Sequence, residues 1–364
     1  MQLEHLFVQD YRNIVQADLE FSPGLNCFVG QNGMGKTNLL DAIYSLSFCK
    51  SSLAQSDSMT VRHGAGCFQL SGTYVMPDGN RTVIGCMSRI KGRKQMTRDR
   101  KEYQRFSDHI GCIPLVMMTP LDTGLILGGS DGRRRLMDVV ISQYDRDYLH
   151  KLIAYDKALQ QRNALLKMEQ APDPEMLLMW EQVMADNGRV IYGRRQELIE
   201  KIVPVFAGIY PAIAGRDESV SLSYISHGQR GDLLDQLSAS RMRDRAVGYS
   251  LCGIHRDELE MQLGGYPVKR EGSQGQNKTF LTALTFAQYI LLADVCGKKP
   301  ILLLDDIFDR LDSRRVENIL ELVSDRSRFG QVFITDVDRN HIDGILGSKG
   351  IECRTFTVEN GTVL

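Results

Sequence analysis

The 364 residues suffice for one large domain or two moderate ones, and 43% hydrophobic with 24% charged residues leaves ample material for a core. A net charge of −1 excludes a bulk polycation but not local basic patches, and with no run of about 18 uncharged apolar residues a membrane span is not expected. The start MQLEHLFVQDYRN carries acids and no cleavable apolar segment, and the 8 cysteines are scattered without a Cys-x-x-Cys pair, so a cytoplasmic protein with reduced thiols and no zinc site is expected.

In chain order, the first quarter reads as an antiparallel sheet interrupted by one helix. Leu25, Cys27 and Val29 alternate in a short strand that runs into a Gly-rich turn; Leu39, Leu40, Ile43 and Leu46 then recur at helical spacing. Pro77-Asp78-Gly79-Asn80 lies between the β-favouring runs Thr73-Tyr74-Val75 and Thr82-Val83-Ile84 and predicts a hairpin. From about residue 130 to 206 the pattern is helical. Leu152, Leu159 and Leu166 recur every seventh position, Pro172-Asp173-Pro174 breaks the chain, and a second helix is expected from Glu175 to about Val205. Two or three antiparallel helices should form a separate lobe.

The last third returns to α/β alternation. Leu259, Met261 and Leu263 alternate before a Gly264-Gly265 turn, and a helix is predicted from about Thr279 to Cys296. The wholly apolar Ile301 to Leu304 suits a parallel strand buried on both faces. A helix near Arg314 to Arg326, a strand over Val332 to Ile334 and a small Asn-Gly hairpin in CRTFTVENGTV complete the chain. The expected architecture is a discontinuous α/β domain made of both chain ends (1–128 and 249–364) around a helical insertion (129–248).

Gly30-Gln31-Asn32-Gly33-Met34-Gly35-Lys36-Thr37 fits the P-loop pattern after a strand and before a helix. Glycines let backbone N–H groups curl around phosphates, and the helix N-terminus adds a favourable field. Lys36 is expected on the β- and γ-phosphates and Thr37 on Mg2+, which makes ATP and Mg2+ the expected cofactors. The apolar strand ends in Asp305-Asp306: Asp305 is expected in the Mg2+ shell and Asp306 beside the attacking water. Most of the chain separates Lys36 from Asp305, a gap far longer than kinases or small GTPases use. Just upstream of the aspartates, Ser273-Gln274-Gly275-Gln276 opens a helix and offers a hydroxyl, N–H groups and a positive dipole end to an anion. Taken alone it is equally an ordinary N-cap. In this position it looks like the signature motif of ABC-type ATPases, which contacts the γ-phosphate held by a partner subunit.

At full length the sequence resembles the RecF family, bacterial recombination-mediator ATPases related to SMC-type heads. The blocks FVQDYRNIVQADLEFSPGLNCFVGQNGMGKTNLLDAI, TPLDTGLILGGSDGRRRLMD, CGIHRDELEMQLGGYPVKREGSQGQNKTFLTAL and LLLDDIFDRLD carry the resemblance in family order. It implies an ABC-type P-loop ATPase lobe with a mixed sheet plus an inserted helical lobe. It also implies an ATP-driven homodimer on DNA near single-strand/double-strand junctions, which acts with RecR and RecO in recombinational repair, replication restart and the SOS response and helps load the recombinase at gaps. Carried over by residue, Gly30, Gln31, Asn32, Gly33, Met34, Gly35, Lys36 and Thr37 hold phosphate and Mg2+. Asp305 joins the Mg2+ shell, Asp306 with Lys36 is catalytic, and Ser273, Gly275 and Gln276 reach the other protomer's nucleotide. Asp312 falls in the D-loop, near the dimer seam.

Departures from the family pattern bear on function. Ile254 replaces a proline before His255, and KSSLAQSD lacks an arginine after its Lys-Ser pair. Thr335-Asp336 stands where transporter ATPases place a switch histidine, which disfavours a transporter subunit. Asp306, shorter than the glutamate common in transporters, points to slow hydrolysis, and the resemblance implies a weak DNA-dependent ATPase; a nucleotide-gated scaffold without significant hydrolysis is the alternative. DNA affinity must come from local basic surface. Lys91 to Lys101 carries six basic residues against one acid, and reads either as a DNA contact or as a solvated hairpin face. Arg133-Arg134-Arg135 and Arg241, Arg243 and Arg245 either touch phosphate or make structural salt bridges. His255, Arg256 and Asp257 are a core hydrogen-bond cluster or part of a nucleotide-sensing face.

Overall fold

The fold was taken from a computed structural model, which describes residues 1–216, 218–309, 311–337, 347 and 350–363. It divides into two compact units, Met1–Asp122 with Ile209–Asp217 and Gln274–Leu364, and Thr123–Gly208 with Glu218–Ser273. Residues 249–273, assigned from sequence to the ATPase lobe, thus fall in the second unit, and a short piece near residue 210 falls in the first.

The first unit opens with β1 (Gln2–Tyr11), β2 (Ile14–Glu20), β3 (Leu25–Val29), α1 (Lys36–Phe48), β4 (Cys67–Val75), β5 (Arg81–Arg89), β6 (Gln95–Arg98), β7 (Lys101–Glu102) and β8 (Leu115–Met118). All but β3 and β8 of these strands form an antiparallel sheet in the order β2-β1-β4-β5-β6-β7. The Pro77–Asn80 hairpin forms as predicted: Gly79 takes φ +81 and Asp78 accepts the Asn80 N–H at 3.0 Å. β3 does not alternate. All five of its residues are buried, because β3 lies inside a second sheet with parallel neighbours on both sides. Its buried Asn26 is satisfied by the preceding turn, accepting from Ser22 N at 2.8 Å and donating to Ser22 O at 2.9 Å. α1 contacts strands of both sheets, including β1, β4, β5 and β8, and buries its circumference, so its apolar periodicity is only a fragment of its packing.

The second unit contains α2 (Thr123–Leu127), α3 (Ser130–Ser142), α4 (Arg146–Leu166), most of α5 (Pro174–Ala214), β9 (Val220–Ile225), α6 (Leu233–Val247), β10 (Glu258–Leu263), β11 (Tyr266–Pro267) and α7 (Val268–Glu271). It is not purely helical: β11-β10-β9 is an antiparallel sheet, with Leu259 opposite Tyr224 and Met261 opposite Leu222. Sequence reading missed β9 and placed β10 in the wrong unit. In α4 the buried line runs through Tyr148, Tyr155, Ala158, Arg162 and Leu165, while the heptad leucines Leu152 and Leu159 are only half-buried. α5 continues past Pro204 and Pro211, beyond the predicted end near Val205. Each proline removes a backbone donor, but Phe206, Ile209, Tyr210 and Ile213 beyond the first are buried and offset that loss.

Ion pairs with buried arginines hold this unit. Arg162 reaches Glu181 at 3.0 Å and Asp244 at 2.8 Å, with all three side chains shielded from solvent. Arg195 similarly joins Asp138 at 2.9 Å and Asp257 at 3.1 Å. Neither arginine had a sequence signal, because a lone Arg on a helix looks the same whether it faces water or a buried carboxylate.

The first unit resumes with α8 (Gln274–Cys296), β12 (Ile301–Leu304), α9 (Ser313–Ser324), β13 (Val332–Asp336), β14 (Cys353–Glu359) and β15 (Thr362–Val363). The second sheet has the order β15-β14-β3-β13-β12-β8; only the β14–β15 pair is antiparallel. The terminal Asn-Gly hairpin is therefore an extension of the main sheet rather than an isolated hairpin. Among the described residues α8 is the one helix long and apolar enough to cross a membrane, which the sequence count of uncharged runs did not register. Since 72% of its apolar window is buried in the protein, it is a core helix.

Candidate nucleotide site

The P-loop connects β3 to α1. Gly30 passes so close to β14 that a Cβ there would lie 2.2 Å from the Val358 carbonyl, a position open only to glycine. Gly35 caps α1 at φ +118, a left-handed geometry. The loop is pinned from two sides. Met34 O accepts from Gly361 N at 2.9 Å and from Asn13 Nδ2 at 3.1 Å, and Asn38 Nδ2 donates to Asn13 Oδ1 at 2.7 Å. Asn13 lies between β1 and β2 and Gly361 between β14 and β15, so both chain ends shape the loop.

Lys36 Nζ donates to the Gly30 carbonyl and to Gln31 O at 3.0 Å. Its side chain therefore folds back over the loop, where burial lowers its pKa against the opposing pull of Asp306 and Asp305. Thr37 Oγ1 donates to both oxygens of Asp305, at 2.9 and 3.0 Å, and Thr335 Oγ1 donates to Asp305 Oδ1 at 2.8 Å. Burial raises the Asp305 pKa, while hydrogen bonds from Thr335 and Thr37 oppose the rise. A hydroxyl and a carboxylate meeting in this way are hard oxygen donors, and the set fits Mg2+. Asp306 follows in the left-handed region at φ 48. Its N–H donates to Thr335 Oγ1 at 2.8 Å, and its carbonyl accepts from Lys278 Nζ of α8 at 2.8 Å.

The structure brings Gly30, Gln31, Gly35, Lys36, Thr37, Asp305 and Asp306 together, with Asn32 and Gly33 exposed on the outer loop. Ser273 and Gln274 are exposed where α8 begins, and the Gly275 carbonyl accepts from Thr279 Oγ1 at 2.8 Å. Asp312 caps α9, accepting from Arg315 N at 3.0 Å. Arg310, within the LLLDDIFDRLD block, lies outside the described residues. Three site residues escaped sequence reasoning: Asn13, Lys278 and Thr335. Asn13 and Lys278 lie within the family-like blocks but carry no motif of their own. Thr335 drew notice only as a place without histidine.

The remaining candidates separate by their contacts. His255 is in a core cluster: Nδ1 meets Tyr155 Oη at 2.8 Å and Nε2 meets Ser250 O at 3.1 Å, and burial lowers its pKa to about 4. Arg133 makes a bidentate pair with Glu258, Arg134 holds Asp131 and the Asp257 carbonyl, and Arg241 holds Glu181. These are structural pairs. Arg135 and Arg243 are exposed. In the basic run, Lys94 is buried against Asp57 at 2.5 Å, while Lys91, Arg93, Arg98, Arg100 and Lys101 are exposed. In KSSLAQSD, Ser51 and Ser52 satisfy the buried Asp41 at 2.7 Å, a structural role.

The model of the RecF/RecN/SMC N terminal domain matches residues 2–359. A protein of Phocaeicola vulgatus named DNA replication and repair protein RecF is 54% identical over 364 residues, covering 100% of this chain and 98% of the relative. A namesake from Bacteroides fragilis is 52% identical over 363 residues, covering 100% and 98%. This chain belongs to the RecF family. A solved structure described as the recombination mediator protein RecF with ATP in the RecFOR pathway superposes with a TM-score of 0.86 at 26% identity, covering 100% of this chain and 98% of that one. The Smc head domain of Pyrococcus furiosus aligns with a TM-score of 0.60 at 17% identity over 99% and 94% of the two chains, a likeness of fold alone. The ABC-type ATPase fold expected from sequence is therefore present, and family membership removes the ground for a transporter reading.

Proposed function

We propose that this RecF-family chain is an ATP-dependent, DNA-binding clamp of the cytoplasm that acts in recombinational repair and replication restart. In this reading two copies close on ATP, each phosphate cradle completed by Ser273, Gly275 and Gln276 of its twin. The P-loop N–H groups and Lys36 bind the triphosphate, Thr37 and Asp305 hold Mg2+, and Asp306 orients the attacking water and accepts its proton. Bound Mg2+ would neutralise charge that develops on the phosphate oxygens. The carrying observation is the Thr37 hydroxyl on Asp305 at 2.9 Å, with Asp306 next in line: a strand end and a P-loop brought to one point from distant parts of the sequence. The exposed cations of Lys91–Lys101 supply a backbone-directed DNA surface, now favoured over the Arg133 and Arg241 trios because Arg133, Arg134 and Arg241 already hold carboxylates. The relative described as part of the RecFOR pathway supports RecR and RecO as partners and recombinase loading at gaps as the outcome.

The test is sedimentation of the protein with ATP and Mg2+, with and without gapped duplex DNA. A dimer that requires ATP and is enhanced by DNA supports the reading. Chains that remain single with bound ATP overturn it.

A further inference from the structure

The end of β13 carries a group that touches the carboxylate of Asp305 and the backbone of Asp306. Thr335 is 1% exposed. A hydroxyl has one proton and two lone pairs. Here the proton goes to Asp305 Oδ1 at 2.8 Å, and a lone pair receives the Asp306 N–H at 2.8 Å. One atom thus fixes the carboxylate expected to hold Mg2+ and the backbone of the carboxylate expected to hold water. We propose that Thr335 is a positioning residue that sets Asp305 and Asp306 in register for ATP hydrolysis, an assignment that rests on the roles proposed above for those two aspartates.

Three features make the hydroxyl more than a satisfied core group. Asp306 is held at φ 48, a conformation that disfavours residues with a Cβ by about 1–2 kcal/mol, so something must retain it. It is held at both ends, the N–H by Thr335 and the carbonyl by Lys278. Threonine is also β-branched and stiff about χ1, so its hydroxyl direction is set by the strand. β13 is itself clamped, pairing in parallel with β12 on one side and β3 on the other, so the oxygen is placed by the sheet that carries the P-loop strand. Thr37 covers both Asp305 oxygens from the P-loop side, and Thr335 takes Oδ1 from the β13 side. Were the Thr37 hydroxyl to ligate a metal ion, the Thr335 bond would still hold Asp305 Oδ1 from the β13 side. Partners that orient a metal-binding side chain change metal affinity or activity by about 10- to 100-fold.

The experiment compares wild type with Thr335→Val, which keeps the shape and loses the hydroxyl, and Thr335→Ser, which keeps the hydroxyl. Affinity for fluorescent ATP is measured in EDTA and in Mg2+, together with kcat and KM for hydrolysis. Thr335→Val should bind ATP in EDTA as wild type does, lose about tenfold or more of the affinity gained from Mg2+, and lose about 10- to 100-fold in kcat. Thr335→Ser should restore both. Thr335→Val with wild-type kcat and Mg2+ gain overturns the proposal, as does Thr335→Ser damaged equally, which would make the methyl group the important part. If Thr335→Val fails to bind ATP in EDTA, Thr335→Cys, whose thiol is a weak donor and acceptor, carries the same comparison and should fall between Ser and wholly inactive. Wild type that does not hydrolyse ATP would instead defeat the catalytic reading of Asp306, leaving the Mg2+-dependent affinity to decide on Thr335.

Discussion

Lys278, one turn into α8, donates from Nζ to the main-chain carbonyl of Asp306 at 2.8 Å. The helix that opens with Gln274-Gly275-Gln276 is thereby tied to the backbone of the proposed catalytic carboxylate. Replacing Lys278 with Met should lower single-turnover hydrolysis about tenfold, equivalent to about 1.4 kcal/mol at the barrier, with ATP affinity maintained. Loss of affinity in parallel with rate would mean that the lysine only supports the fold.

Hydrolysis itself is tested by Asp306→Asn. Asn tolerates left-handed backbone, so the substitution removes charge at little conformational cost where φ is 48. The variant should accumulate as an ATP-bound dimer on gapped DNA, read by sedimentation, whereas a scaffold that never hydrolyses would behave as wild type does. Lys36→Ala should abolish the ATP-dependent dimer. Wild-type turnover should stay below about 10 s⁻¹, a middling enzyme rate.

The exposed cations Lys91, Arg93, Arg98, Arg100 and Lys101 lie on or beside β6 and the edge strand β7. Changing three of them to Gln should weaken duplex binding evenly across sequences. It should also lower the magnitude of the slope of log K against log salt by about 0.9 for each phosphate that is no longer neutralised. An unchanged slope would move the DNA surface elsewhere.

How much of this was legible in the sequence depended on whether the signal was local. Gly30 to Thr37 and Asp305-Asp306 are contiguous motifs, so each could be picked out from the sequence, and the structure brings the two together. Asn13, Lys278 and Thr335 act through hydrogen bonds to partners distant in sequence, so no local spacing marks them. The helical lobe was misjudged for a related reason: β9 gains its strand identity from pairing with β10 across an intervening helix, and the seven-residue leucine spacing of α4 does not reveal that Arg162 lies on its buried line.

Arg162 gives a stability prediction. Its removal leaves Glu181 and Asp244 buried, with Arg241 still paired to the former. Arg162→Ala should cost about 3–5 kcal/mol, the range for breaking a buried pair on one side, measured by urea unfolding at neutral pH. A loss under about 1 kcal/mol would mean that water reaches the site.

The second unit should also be acid-sensitive through His255. Burial is the main cause of its lowered pKa, with Arg256, Arg134 and His227 adding repulsion. The unfolded chain, with an ordinary histidine pKa near 6.5, binds the proton first. Stability from the neutral ring is therefore complete above about pH 6.5 and is lost as pH falls toward about 4, by at most about 3 kcal/mol. Urea midpoints measured between pH 7.5 and 4.5 should show less acid loss in His255→Gln than in wild type. Equal loss in both would assign the effect to other groups.

The Val358 carbonyl against Gly30, and Gly361 on Met34, bear on how the protein is made. β3 is separated from both of its strand neighbours, β13 and β14, by most of this sequence. A nascent polypeptide therefore cannot complete the Gly30–Thr37 loop until β14 and Gly361 have been added, and one cut short before β14 should fail to bind ATP. Folding of the loop is in this way a late event in synthesis, although its sequence is read early.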